Sequence, residues 1–161
     1  MTHNYERLKA HILPLSLSSD FNRARQEWDL VNVEISEELD SCPCGSEIKE
    51  HCYIRNRHTG CETYVGNICI NQFMGLDTGT LFSGLKRIKQ DKDAAPNEAL
   101  IKHAYSKGYL HDDREYWFLM GTKRKRNLSA AQLTWRQKIN RRITSQTVVR
   151  RRGDPKKPEE S

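Results

Sequence analysis

No cysteine of this chain lies outside residues 42–69, no acidic residue falls between Thr122 and Arg152, and no apolar run approaches the length of a bilayer. Each absence excludes something. Five cysteines, an odd number confined to one short segment, exclude a disulfide framework spread through the chain and favour a metal site in a reducing compartment. Met1 to Asp20 has no basic start leading into a long apolar stretch, and Ile12-Leu13-Pro14-Leu15 is short and broken by proline, so nothing there reads as a secretory signal. The expectation is a soluble, cytoplasmic protein without a membrane partner. Catalytic signatures are missing as well: no Walker-type glycine loop, no serine-centred nucleophile elbow and no paired-histidine metalloprotease motif. His51 or His58 with scattered acids such as Asp112 and Asp113 has no spacing that points to a nuclease, so the protein is read as a non-enzyme.

What is present is a cysteine cluster built around a hairpin. Cys42-Pro43-Cys44-Gly45 is followed by two β-forming stretches, His51 to Asn56 and Cys61 to Val65, with Arg57-His58-Thr59-Gly60 as the turn between them. A four-residue turn sets Cys52 opposite Val65, Ile54 opposite Thr63 and Asn56 opposite Cys61. Side chains alternate along a strand, so His51 and Cys52 point to opposite faces and only one reaches a given ion. Cys52 shares the apolar face and is the expected ligand, with His51 in reserve. Cys61 lies roughly 13 Å from Cys52 along the strand, too far to share the ion. Asn67 suits a helix cap and places Cys69 in a first helical turn, where amide dipoles favour a thiolate. The predicted ligands are Cys42, Cys44, Cys52 and Cys69, a closed tetrahedral zinc site that is structural and not catalytic. The Cys-x-Cys spacing is one residue shorter than that of the usual knuckle.

The pattern Cys-x-Cys-Gly, then Ile54-x-Asn56-x-x-Thr59-Gly60, then Val65-Gly66-x-x-Cys69-Ile70-x-x-Phe73 resembles a group of small zinc-hairpin proteins and domains encoded by bacteriophages and other large viruses. With Ala24-x-x-Glu27-Trp28 included, the resemblance covers residues 24–75. It implies a metal-stabilised accessory domain involved with nucleic acid and a phage-encoded origin, and it carries no single shared activity.

The rest of the chain is read around this module as an α+β protein. Residues 1–41 supply an amphipathic helix, Ser19 to Trp28, and an alternating strand, Leu30 to Ile35, joined to the metal site by acidic Glu37 to Asp40. Residues 42–76 form the zinc hairpin, treble-clef or ribbon-like. Residues 77–145 are helical: Thr80 to Gln90, a helix starting within Ala95-Pro96-Asn97-Glu98 and ending at Gly108, one from Asp112 to Met120, and one from Ser129 to about Thr144. The last is marked by the capping box Ser129-Ala130-Ala131-Gln132. Its inward stripe is expected to be Ala131, Trp135, Ile139 and Ile143, with Lys138 and Arg141 on the flank. Tyr116, Trp117, Leu119 and Met120 are assigned to the core. Residues 146–161, with Gly153, Pro155 and Pro158, are expected to form a disordered basic tail.

Charge is divided unevenly along the chain. Eleven cations lie between Thr122 and Arg152, while the first 121 residues carry a net −4 of the total +6. Such a block suits phosphate neutralisation, which makes binding steeply dependent on salt. Lys123, Arg124, Lys125, Arg126, Lys138, Arg141 and Arg142 are the expected backbone contacts to DNA or RNA, with Arg150 to Arg152 as a second block. The hairpin face carrying His51, Tyr53, Arg55, Glu62 and Tyr64 combines rings and a cation suited to stacking on bases, or simply to cross-strand packing. The competing reading is a protein-binding modulator or inhibitor of a host nucleic-acid enzyme.

Overall fold

The computed structural model describes residues 3–150, which divide after Gly79 into two compact units. Among the described residues the architecture is α+β, with one three-stranded antiparallel sheet and seven α-helices. No described helix is long and apolar enough to cross a membrane.

In the first unit, α1 (His3–Ile12) leads through a 3-10 turn into α2 (Phe21–Ala24), whose first turn is capped by the Asp20 carboxylate. A second 3-10 turn, Arg25–Glu27, delivers the chain to β1 (Trp28–Ser41), which pairs with β2 (Glu47–Asn56), and β2 pairs with β3 (Glu62–Val65). Helix α3 (Asn67–Met74) follows. The hairpin register is the expected one, Cys52 opposite Val65 and Ile54 opposite Thr63. The predicted Ser19 to Trp28 helix is shortened, because Trp28 already belongs to the sheet and pairs with Asn56. The acidic connection is part of β1. Pairing passes from Ile35↔Glu50 to Asp40↔Ile48, so the intervening acidic residues bulge out of the ladder and keep their charges in water.

The core of this unit lies between the helices and the inner sheet face. Leu8, Ile12, Val33, Ile54, Val65, Ile70 and Phe73 are buried, and Phe73 meets Phe21 and Trp28 with ring centroids 5.8 and 6.3 Å apart. One buried carboxylate ties the corner together. Glu27 accepts hydrogen bonds from the Leu17 and Ser18 amides (2.8 and 3.0 Å) and from Asn56 Nδ2 (3.0 Å). Asn56 Oδ1 in turn accepts from the His58 and Thr59 amides at 2.9 and 3.0 Å, which shapes the hairpin turn. The Asn56 bond foremost, then the Leu17 and Ser18 amides, hold the Glu27 carboxyl below its ordinary pKa against the opposing effect of burial.

The second unit contains α4 (Gly79–Gln90), α5 (Glu98–Lys107), α6 (Asp113–Thr122) and α7 (Ala130–Ser145). Asn97, Asp112 and Ser129 cap α5, α6 and α7, and both reciprocal bonds of the Ser129/Gln132 capping box are made. Gly108 closes α5 in the left-handed region (φ 80°), and the Arg150 backbone lies where its Cβ would be. The inward face of α7 is rotated from the expected stripe. Ala131 is exposed, and Arg136, Ile139, Asn140 and Ile143 are buried. The polar pair turns inward because loop carbonyls need donors: Arg136 reaches Thr122 O (2.8 Å) and Asp93 O (3.2 Å), and Asn140 reaches Lys92 O and Ala94 O (2.9 and 2.8 Å). Trp135 instead stacks on Phe118, centroids 4.1 Å apart. Trp117, assigned to the core by pattern, is 46% exposed.

Candidate metal centre

Cys42-Pro43-Cys44-Gly45 makes a tight reverse turn between β1 and β2. The Gly45 amide donates to Cys42 O, and the Cys42 amide to Ser46 O, both at 2.8 Å. Gly45 sits at φ 98°, a conformation that favours glycine, and the Arg7 guanidinium of α1 packs against the position a Cβ would take. Asn4 Nδ2 also donates to Ser46 Oγ (3.1 Å), so α1 lies over the turn.

The third cysteine comes from α3. Gly66, not Asn67, occupies its cap position, and Cys69 falls in the first turn as expected. The ligand atoms of Cys42, Cys44 and Cys69 lie within 4.8 Å of one another, all three residues are buried, and the cluster can hold a metal ion. Cys42 Sγ and Cys69 Sγ are 3.6 Å apart. Thiolates at two corners of a tetrahedral zinc site are separated by roughly 3.8 Å, given a Zn–S bond of about 2.3 Å.

The surroundings favour negative charge on the Cys42 sulfur. Cys42 is drawn down to about 5, chiefly by the Cys69 thiol donating to it and further by the Cys44 and Gly66 amides, the latter 3.3 Å from its sulfur. Cys69, the donor of that pair, is pushed up. Cys52 is fully buried and lies outside the group of three: its sulfur faces Thr78 Oγ1 at 3.8 Å. Burial, and secondarily the nearby Cys42 charge, push its thiol up to about 11 despite the Thr78 contact.

His51, the reserve ligand, is on the opposite sheet face and engaged there. Its Nε2 is 3.2 Å from Asp40 Oδ2 and its Nδ1 is 3.1 Å from Lys49 O. It forms a three-ring group with Tyr53 and Tyr64, at centroid distances of 6.2 and 4.9 Å, so this face is largely occupied by its own packing. Cys61 is half-buried at the turn end and does not join the cluster.

The predicted nucleic-acid contacts divide into two kinds. Arg124, Lys125, Arg126, Lys138 and Arg141 are exposed. Arg142 is not available to a phosphate: it makes a bidentate pair with buried Glu115 (2.9 and 2.6 Å) and donates to Tyr109 O (2.7 Å). Its position on α7 faces the α5–α6 turn, where a carboxylate needs a countercharge. Lys123 is half-buried and paired with Glu98 at 3.3 Å. Arg150 is also committed, lying over the Tyr105 ring (3.9 Å) and 3.6 Å from Asp113, so residues 146–150 of the expected disordered tail pack against this unit. Arg151, Arg152 and the rest of that tail lie outside the described residues.

Helix α1, which covers the cysteine turn, was not expected from the sequence, although Tyr5, Leu8 and Ile12 recur at helical spacing. Compared with protein families, curated proteins and solved structures, the chain matches none, and the geometry of its own cysteines and cations carries the functional reading.

Proposed function

We propose that this is a non-catalytic accessory protein that binds nucleic acid through its second unit and is stabilised by zinc in its first. The observation that carries the reading is the partition of charge: residues 1–79 sum to −5 and residues 80–161 to +11. The exposed cations Arg124, Lys125, Arg126, Lys138 and Arg141 are the proposed phosphate contacts. Lys123 and Arg142 are left out because their charges are balanced within the unit.

Zinc is the metal proposed for Cys42, Cys44 and Cys69, since a buried set of sulfur donors near tetrahedral spacing suits it and a closed thiolate site supports folding. Cys52 is the proposed fourth ligand, its sulfur exchanging the Thr78 hydroxyl for the ion. The order of parts, a cysteine turn, a hairpin and a helix bearing the last ligand, is treble-clef-like. Intact-mass spectrometry under non-denaturing conditions should find one zinc per chain in the wild type and none in Cys69→Ser. A wild type that stays metal-free and folded in chelator contradicts the assignment.

The nucleic-acid reading is tested by anisotropy titration of labelled DNA and RNA at two salt concentrations. Wild-type protein should bind with steep salt dependence, and Arg124→Glu with Arg126→Glu should remove most of the affinity. Unchanged affinity and salt slope in that variant would place the contact elsewhere.

A further inference from the structure

Trp117 is the only exposed Phe, Tyr or Trp ring among the described residues. Thirteen aromatic residues are present, and the other twelve are at least half-buried, so this placement goes against the general behaviour of the chain. Large rings left in water on a folded surface are a common mark of a contact site.

The neighbourhood says what it contacts. Along α6 the exposed positions are Arg114, Trp117 and Gly121, three and four residues apart and therefore on one face, and the helix then runs directly into exposed Arg124, Lys125 and Arg126. A Cβ at Gly121 would meet nothing within 4 Å, so the helix surface one turn beyond the indole is bare. On its other side Tyr116 meets the indole edge-on, centroids 4.9 Å apart at 85°, and Tyr116 is itself braced by Tyr105 at 5.3 Å. The indole is thus supported from one side and open along the face that leads to the cations. Acids near it are already engaged: Asp112 caps α6 and pairs with Arg114, and Asp113 holds Tyr105 and Arg150.

An exposed ring on a helix whose end leads into a run of exposed arginine and lysine is the layout of a site that stacks a base and neutralises the phosphates leading away from it. Duplex DNA keeps its bases paired and stacked on each other, whereas a single strand offers their faces. We propose that Trp117 is a stacking platform for an unpaired base, and that the protein selects single-stranded nucleic acid with Arg124, Lys125 and Arg126 holding the adjoining backbone. This rests on the nucleic-acid reading above and narrows it to strandedness and to a residue that sequence patterning assigns to the core.

The test compares wild type, Trp117→Ala, Trp117→Phe and the Arg124→Glu, Arg126→Glu variant by anisotropy on oligothymidylate, oligouridylate, the same backbone with abasic sites, and a duplex. Wild type should prefer the base-bearing single strands, with the thymidylate and uridylate arms showing which sugar is favoured. Trp117→Ala should weaken their binding about 5- to 100-fold with the salt slope intact, and Trp117→Phe should recover much of the loss. On the abasic strand and the duplex, wild type and Trp117→Ala should be equal. Far-UV circular dichroism controls for folding, and the phenylalanine variant separates loss of the ring from any local disturbance. If wild type binds and Trp117→Ala binds base-bearing strands equally well, the platform is overturned while the nucleic-acid reading stands. If wild type binds no form at low salt, both are overturned.

Discussion

Each unit is organised around one buried glutamate, and the two carboxylates are satisfied by different donors. Glu27 receives two backbone amides and the Asn56 side chain, all neutral. Glu115 receives the His111 amide and the Trp135 indole, but also the Arg142 guanidinium in bidentate contact. The second unit therefore carries an internal countercharge that spans α6 and α7. At the far end of the hairpin in the first unit, three buried cysteines converge. The contrast predicts that the first unit depends on the ion proposed for its cysteines and the second on an ion pair.

The comparison can be broken most severely at Cys69. Cys69→Ser should unfold the first unit and leave the helical signal of the second, as seen by limited proteolysis. Next in size is Arg142→Ala, which strands a buried carboxylate and should cost about 3–5 kcal/mol, measured by denaturant titration. Asn56→Ala leaves Glu27 short of a donor and two turn amides without their acceptor, for about 1–3 kcal/mol in the first unit alone.

The pH dependence of the second unit sharpens the contrast further. Burial alone would raise the Glu115 carboxyl, but the Arg142 pair, the His111 amide and the Trp135 indole outweigh it and hold it below its ordinary value. A carboxyl depressed in the folded state contributes stability that is complete above its unfolded pKa and is lost as pH falls through the folded one. Melting temperature monitored on the second unit should therefore drop below about pH 4, and Glu115→Gln should start lower and flatten that drop. The smallest expected effect is at the start of α7, where Ser129→Ala removes half of a capping box and should cost about 1 kcal/mol.

Local signals were legible in the sequence and tertiary demands were not. The hairpin register followed from alternation and turn length, and the Ser129 capping box marks the start of α7 because a side-chain oxygen at that position has a fixed geometric role. Helix α7 was turned by the carbonyls of residues 92–94 and 122, whose need for Arg136 and Asn140 outweighs the apolar pattern. Arg142 reads as one more member of a basic run until Glu115 is brought against it from 27 residues away. Cys42, Cys44 and Cys69 were recognisable by spacing and by helix position, whereas the pairing of Cys52 with Thr78 joins β2 to the segment after α3, which no short-range rule anticipates.

The central claim is that metal holds one unit and an ion pair the other. Hydrogen exchange read by mass spectrometry, with and without a strong chelator, tests it directly. The account predicts that chelation abolishes protection in β2, β3 and α3 while α5, α6 and α7 keep theirs. Protection unchanged in the hairpin, or lost in both units together, would contradict it.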